Sequence, residues 1–168
     1  MKSKLAPEIA VLLDLLDQAF EKKSWHGANL KGSVRGLGLD ELLWRLTPGR
    51  HNIWEHVVHA AYWKYTVWRR LTAERRGSFP LEGSNWIPRY DGLEAAAWRA
   101  DLRTLDEIHR KLRDAIARLT PADLARAPGG SKVSNVAIIT GIAHHDVYHT
   151  GQIQLLKRLF RASRKAEK

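Results

Sequence analysis

Apolar positions along this chain recur with a helical period almost throughout. Ile9, Leu12, Leu13, Leu16 and Phe20 fall three and four positions apart, the spacing of one helical face, and Pro7 suits the first turn of such a helix. Gly27, Gly32, Gly36 and Gly38 then break the pattern; Leu39 to Leu46 predict a short connecting helix, stopped by Pro48-Gly49. Asn52 with Glu55 three residues later reads as a capping box that opens a second long helix, running to about Glu74. A connection rich in glycine and proline follows. The third long helix is expected from about Leu93, with Asp91 and Glu94 as caps and with Trp98, Leu102, Leu105, Ile108, Leu112, Ile116 and Leu119 on one face. Pro121, Pro128, Gly129 and Gly130 separate it from a fourth, expected from Ser134 to about Arg161.

Four long helices with almost no strand signal predict an all-α protein, a four-helix bundle with one short extra helix between the first two. No repeat or composition shift marks a second domain. The reading is therefore one domain over residues 1–168, with 162–168 as a frayed basic tail.

The longest stretch without Asp, Glu, Lys or Arg, from Val133 to His145, is 13 residues, too short to span a membrane. Glu8 and Asp14 interrupt what would have to be the apolar core of a signal peptide, so a cytoplasmic protein is expected. The absence of cysteine excludes disulfides, thiolate metal sites and a cysteine nucleophile. The net charge of +10 is concentrated in residues 64–76 and 157–168. Both runs end expected helices, where cations complement the backbone dipole. A basic surface for nucleic acid or an acidic partner is the competing reading.

The eight histidines discriminate more sharply by placement than by number. His145 and His149 are one turn apart, so both project from the face that carries Ile138, Ile142 and Leu156. That spacing lets two imidazoles share a metal ion. A third ligand is expected from His59, in the middle of the second helix, or from His109, on the apolar stripe of the third; the alternative is that each histidine is an ordinary hydrogen-bonded core residue. Three imidazoles leave a position open for water or substrate, the pattern of catalytic rather than structural sites, and suit zinc or nickel. Gln152, one turn beyond His149, and Glu55 are candidates for supporting roles around the ligands, and Glu55 for a general base or simply a cap. Gly141 leaves room beneath His145 or serves only close helix packing, and Asp146 points about 100° away from the ligand face, toward the surface or a supporting position. The seven tryptophans fall mostly in helical stripes and read as core.

The segments Trp54–Trp63 (WEHVVHAAYW) and Gly141–Leu159 (GIAHHDVYHTGQIQLLKRL) resemble the second and fourth helices of the DinB-like family. Its mark is one histidine in the second helix and a His-x-x-x-His followed by Gly-Gln-Ile in the last, which here are His59, His145, His149 and Gly151-Gln152-Ile153. The resemblance implies a four-helix bundle, often a homodimer, holding a divalent metal on those three histidines. Some members are thiol transferases that attach a low-molecular-weight thiol to an electrophile. Metal-assisted hydrolysis is the other chemistry the site would allow. Arg69 and Arg70, near the end of the second helix, are candidates for holding a carboxylate-bearing thiol.

Overall fold

The computed structural model describes residues 5–129 and 131–166. Seven helices and no strand lie within them: α1 (Pro7–Phe20), α2 (Leu30–Ser33), α3 (Leu39–Leu43), α4 (Ile53–Thr72), α5 (Ala95–Ala117), α6 (Pro121–Leu124) and α7 (Asn135–Ala166). The four long ones form the bundle. Two short helices rather than one fill the connection between α1 and α4, and α6 is an addition to the expected set. The latter is one turn, opened by Pro121 and by a capping box in which Asp123 accepts hydrogen bonds from the Thr120 backbone and hydroxyl. Among the described residues no helix is long and apolar enough to cross a membrane.

Helix α4 is the central element. Its capping box forms as the sequence predicts: Asn52 Oδ1 accepts from the Glu55 N–H at 2.8 Å, and Glu55 reaches back to the Asn52 N–H at 3.2 Å. It ends at Ala73, whose φ of 57° takes the chain out of the helix. Buried residues run all round it from Ile53 to Val67, because α5 and α7 pack along it and α3 covers its first turns. This explains why its sequence is apolar on several sides. One half of the core gathers Trp54, Val57, Val58, Leu105 and Ile153, and the other joins Ile9, Leu12 and Leu16 to Leu112, Ile116 and Ile139.

Two sequence expectations change. Helix α7 runs on past Arg161 through residues 162–166, expected as a frayed tail, whereas 167 and 168 lie outside the described residues. The helix is held near this end by side chains that span to the short helices: Lys157 donates to the Ser33 carbonyl at 2.7 Å, and Arg161 pairs with Glu41 at 3.1 Å. Nor does the whole 64–76 run serve the helix end or a surface for a partner. Lys64 is fully buried and ion-paired with Asp146, itself fully buried on α7 rather than at the surface.

Candidate metal centre

Helices α4 and α7 run antiparallel here: His56 meets His149, and His59 meets His145. The pair on α7 and the single histidine on α4 therefore converge. His145 Nε2 lies 3.1 Å from His59 Nε2 and 3.1 Å from His149 Nε2, and one nitrogen from each of the three rings falls within 4.8 Å of the others. Of the two candidates for a third partner, the structure selects His59. His109 instead stacks on Phe20 of α1, with ring centroids 3.7 Å apart.

The outer nitrogens show what the inner ones are for. His59 Nδ1 lies 3.1 Å from the Asn85 carbonyl, which can only accept, so the proton sits on Nδ1 and Nε2 presents a lone pair. His149 Nδ1 lies 2.8 Å from His56 Nδ1. When it donates there, His149 Nε2 is likewise free to act as a ligand. Between lone pairs on His59 and His149, a proton on His145 Nε2 could satisfy only one neighbour. A cation satisfies all three. The donor set thus fits a divalent metal, and His59, His145 and His149 could hold one.

Burial keeps the rings in the form that coordinates. It is the largest influence on each, pulling His59 and His145 down to about 4 and His149 to about 2, with neighbouring imidazoles adding to the effect on His145 and His149. His56 is lowered to about 4 by burial and by His51. Near neutral pH all four are uncharged, as metal ligation requires.

The connection between α4 and α5 covers the site. Trp86 stacks on His59 at 3.8 Å with one face and on His51 at 3.6 Å with the other, and meets His56 and His149 edge-on. Asn85 places its carbonyl on His59 from a left-handed backbone, φ 60°, a conformation asparagine tolerates better than most residues. Its side chain accepts from Trp63 Nε1 at 2.9 Å. Four residues on from Asn85, Arg89 fixes the segment: its N–H donates to Glu55, its carbonyl accepts from Asn52 and Arg45, and its side chain pairs with Asp101.

Glu55 is therefore a clamp. Burial alone would raise its pKa, but Arg45, gripping both carboxylate oxygens at 2.6 and 2.8 Å, and the Arg89 and Asn52 N–H groups outweigh it and bring it to about 2. Its contact toward the site is His51, which stacks on Trp86 and meets His56 edge-on. Gln152 is half-buried and makes no hydrogen bond among the described residues. Sequence reasoning did not assign His51, His56, Asn85 or Trp86. His56 carried a signal, three residues before His59 on the same strip of α4, whereas nothing in the spacing of Asn85 or Trp86 indicates that their connection folds back.

A model of the DinB superfamily matches residues 24–153, which span both histidine-bearing helices and the covering connection. The chain belongs to the DinB superfamily. No curated protein and no solved structure matches it.

Proposed function

We propose that this protein is a divalent-metal enzyme that transfers a low-molecular-weight thiol to an electrophile, or hydrolyses a small substrate, with His59, His145 and His149 as ligands and zinc or nickel as the metal. The observation that supports it best is the convergence of three imidazoles on a common point, with the outer nitrogens of His59 and His149 engaged so that their inner ones face it. Three neutral ligands leave a bound ion its full charge and an open position, where the pKa of a thiol or water falls. The chain has no cysteine, so any thiol in the reaction is a co-substrate.

The protein's own groups position and shield. Asn85 and His56 hold the rings of His59 and His149, and Trp86 with Trp63 limits the approach of water. Glu55 fixes the covering segment rather than moving protons. The reading of a nucleic-acid surface gains no specific observation, because Lys64, Lys157 and Arg161 are engaged within the fold.

The test is to reconstitute tag-free protein with zinc or nickel and screen thiols against electrophiles and activated esters. Metal-dependent turnover that His145→Ala abolishes, with helical content kept, is the expected result. A metal-loaded sample that turns over no thiol–electrophile pair and no ester would overturn the catalytic reading.

A further inference from the structure

A cavity of about 260 Å³ opens between α4 and α7 beside the metal centre. His145 lines one end and Arg70 contributes the cavity's only formal charge; Trp63, Val67, Ile138 and Ile142 supply an apolar wall between them. The placement follows from helical period. On α4, His59, Trp63, Thr66 and Arg70 are spaced four, three and four residues apart and so share one face. On α7 the stretch from Ala137 to His145 covers about 12 Å of helix at 1.5 Å per residue. Gly141 sits along this stretch, and a Cβ added there would meet nothing within 4 Å. The glycine leaves open space beside the cavity rather than relieving a packing clash.

Arg70 is half-buried yet makes no hydrogen bond or ion pair among the described residues. The other charged side chains of the bundle interior differ: Lys64 has Asp146, and Arg113 has Asp17. Arg70 borders this apolar cavity and also the adjoining clefts that hold Glu74 and Glu82, yet pairs with neither carboxylate, and such a guanidinium is suited to a planar anion, which it can grip with two parallel N–H groups.

We infer that this cavity takes a small apolar carboxylic acid, its carboxylate on Arg70 and its apolar body between Trp63 and Ile142. The assignment of the opposite end of the ligand, at His145, as the reacting end rests on the proposed metal-dependent activity; binding of the acid itself does not. At this volume the site is smaller than a typical drug-sized pocket, which limits the acid to a short chain or a single ring. A phosphonate offers Arg70 the same kind of contact with a second negative charge, which the neighbouring Arg69 and Arg76 would favour and the single guanidinium of this cavity would not.

The test is calorimetric titration of 3-phenylpropanoate, its neutral amide and 2-phenylethylphosphonate into the full chain, both metal-free and zinc-loaded. The acid should bind at one site at least tenfold more tightly than the amide in both forms. Arg70→Gln should erase that difference, Arg70→Lys should keep part of it, and Gly141→Leu should weaken acid and amide alike; thermal melts confirm that each variant folds. Equal binding of acid and amide, an undiminished preference in Arg70→Gln, or a phosphonate bound at least tenfold more tightly than the acid would overturn the inference. Zinc stoichiometry measured on the same samples reports separately on the metal centre. An acid preference lost with Arg70 in protein that binds no zinc would uphold the cavity while the metal-dependent reading fails.

Discussion

Two polar clusters lie side by side in this bundle, on neighbouring residues of the same two helices, and they solve the cost of burial differently. Lys64 and Asp146 are opposite charges that meet each other, with the Lys64 ammonium also 4.9 Å from the ring of Phe20. His59, His145 and His149 are alike, and their inner nitrogens face one another. A buried group without a partner costs on the order of 1 to 3 kcal/mol, and more for a charge. The first cluster meets most of that cost within the chain, through Asp146 Oδ2 on the Lys64 ammonium, while Asp146 Oδ1 has no hydrogen-bond partner among the described residues. The second could be completed by a cation held between the three rings. A charge-paired buried couple points to structure, whereas a set of like acceptors, two of them with their other nitrogens held in place, points to a ligand.

Breaking the buried ion pair should produce the largest effect. Lys64→Met leaves Asp146 buried without its cation and should cost about 3 to 5 kcal/mol in urea unfolding, and adding Asp146→Leu should recover most of it. If the single variant is as stable as the parent, the pair is not the structural element described here.

Next comes the support of the other cluster. His56→Phe removes the acceptor that orients His149 and should weaken zinc binding by roughly 10- to 100-fold with little change in metal-free stability. Competition with a chromogenic chelator measures this. An unchanged zinc affinity would remove His56 from the site.

The pH dependence of the metal-free protein is graded. His56, His59 and His145 titrate at about 4 in the fold, and His109, lowered first by burial and then by Lys64, at about 2, against about 6.5 in the unfolded chain. The unfolded state therefore binds more protons between pH 6.5 and 4. Stability is full above pH 6.5 and falls as pH drops through that window. Zinc should steepen the dependence, because coordination holds the imidazoles deprotonated. Melting temperatures that stay level from pH 7.5 to 5 would contradict the burial of these rings.

The smallest expected effect is on the metal-free fold when a ligand is removed. His145→Ala should change its unfolding free energy by about 1 kcal/mol or less, since His145 Nδ1 is already without a partner and the cavity beside it is open. A loss comparable to that of Lys64→Met would make the triad a structural cluster after all.

Helical period made the bundle legible in the sequence, and the capping box at Asn52 and Glu55 set the start of α4 correctly. The spacing of His145 and His149 placed both on one face, because side-chain direction within a helix is fixed by position alone. Choosing His59 over His109 needed more, since both lie on inward-facing positions and only the antiparallel register of α4 and α7 separates them. Trp86 and Asn85 were illegible for another reason: they sit in an irregular segment whose path is set by Arg89 meeting Glu55 and Asp101, contacts between residues distant in sequence. Asp146, expected off the ligand face at the surface or in a supporting position, is off that face but buried, because the 100° rotation from His145 points to a second buried neighbour, Lys64.

The most direct test of the central claim is metal analysis of untagged protein titrated with zinc, for the parent and for His59→Ala. One ion per chain in the parent, absent from the variant while its helical content stays unchanged, is the predicted result. A parent chain that takes up no zinc, or a His59→Ala variant that retains one ion with unchanged affinity, would contradict the assignment of these three histidines as a metal centre.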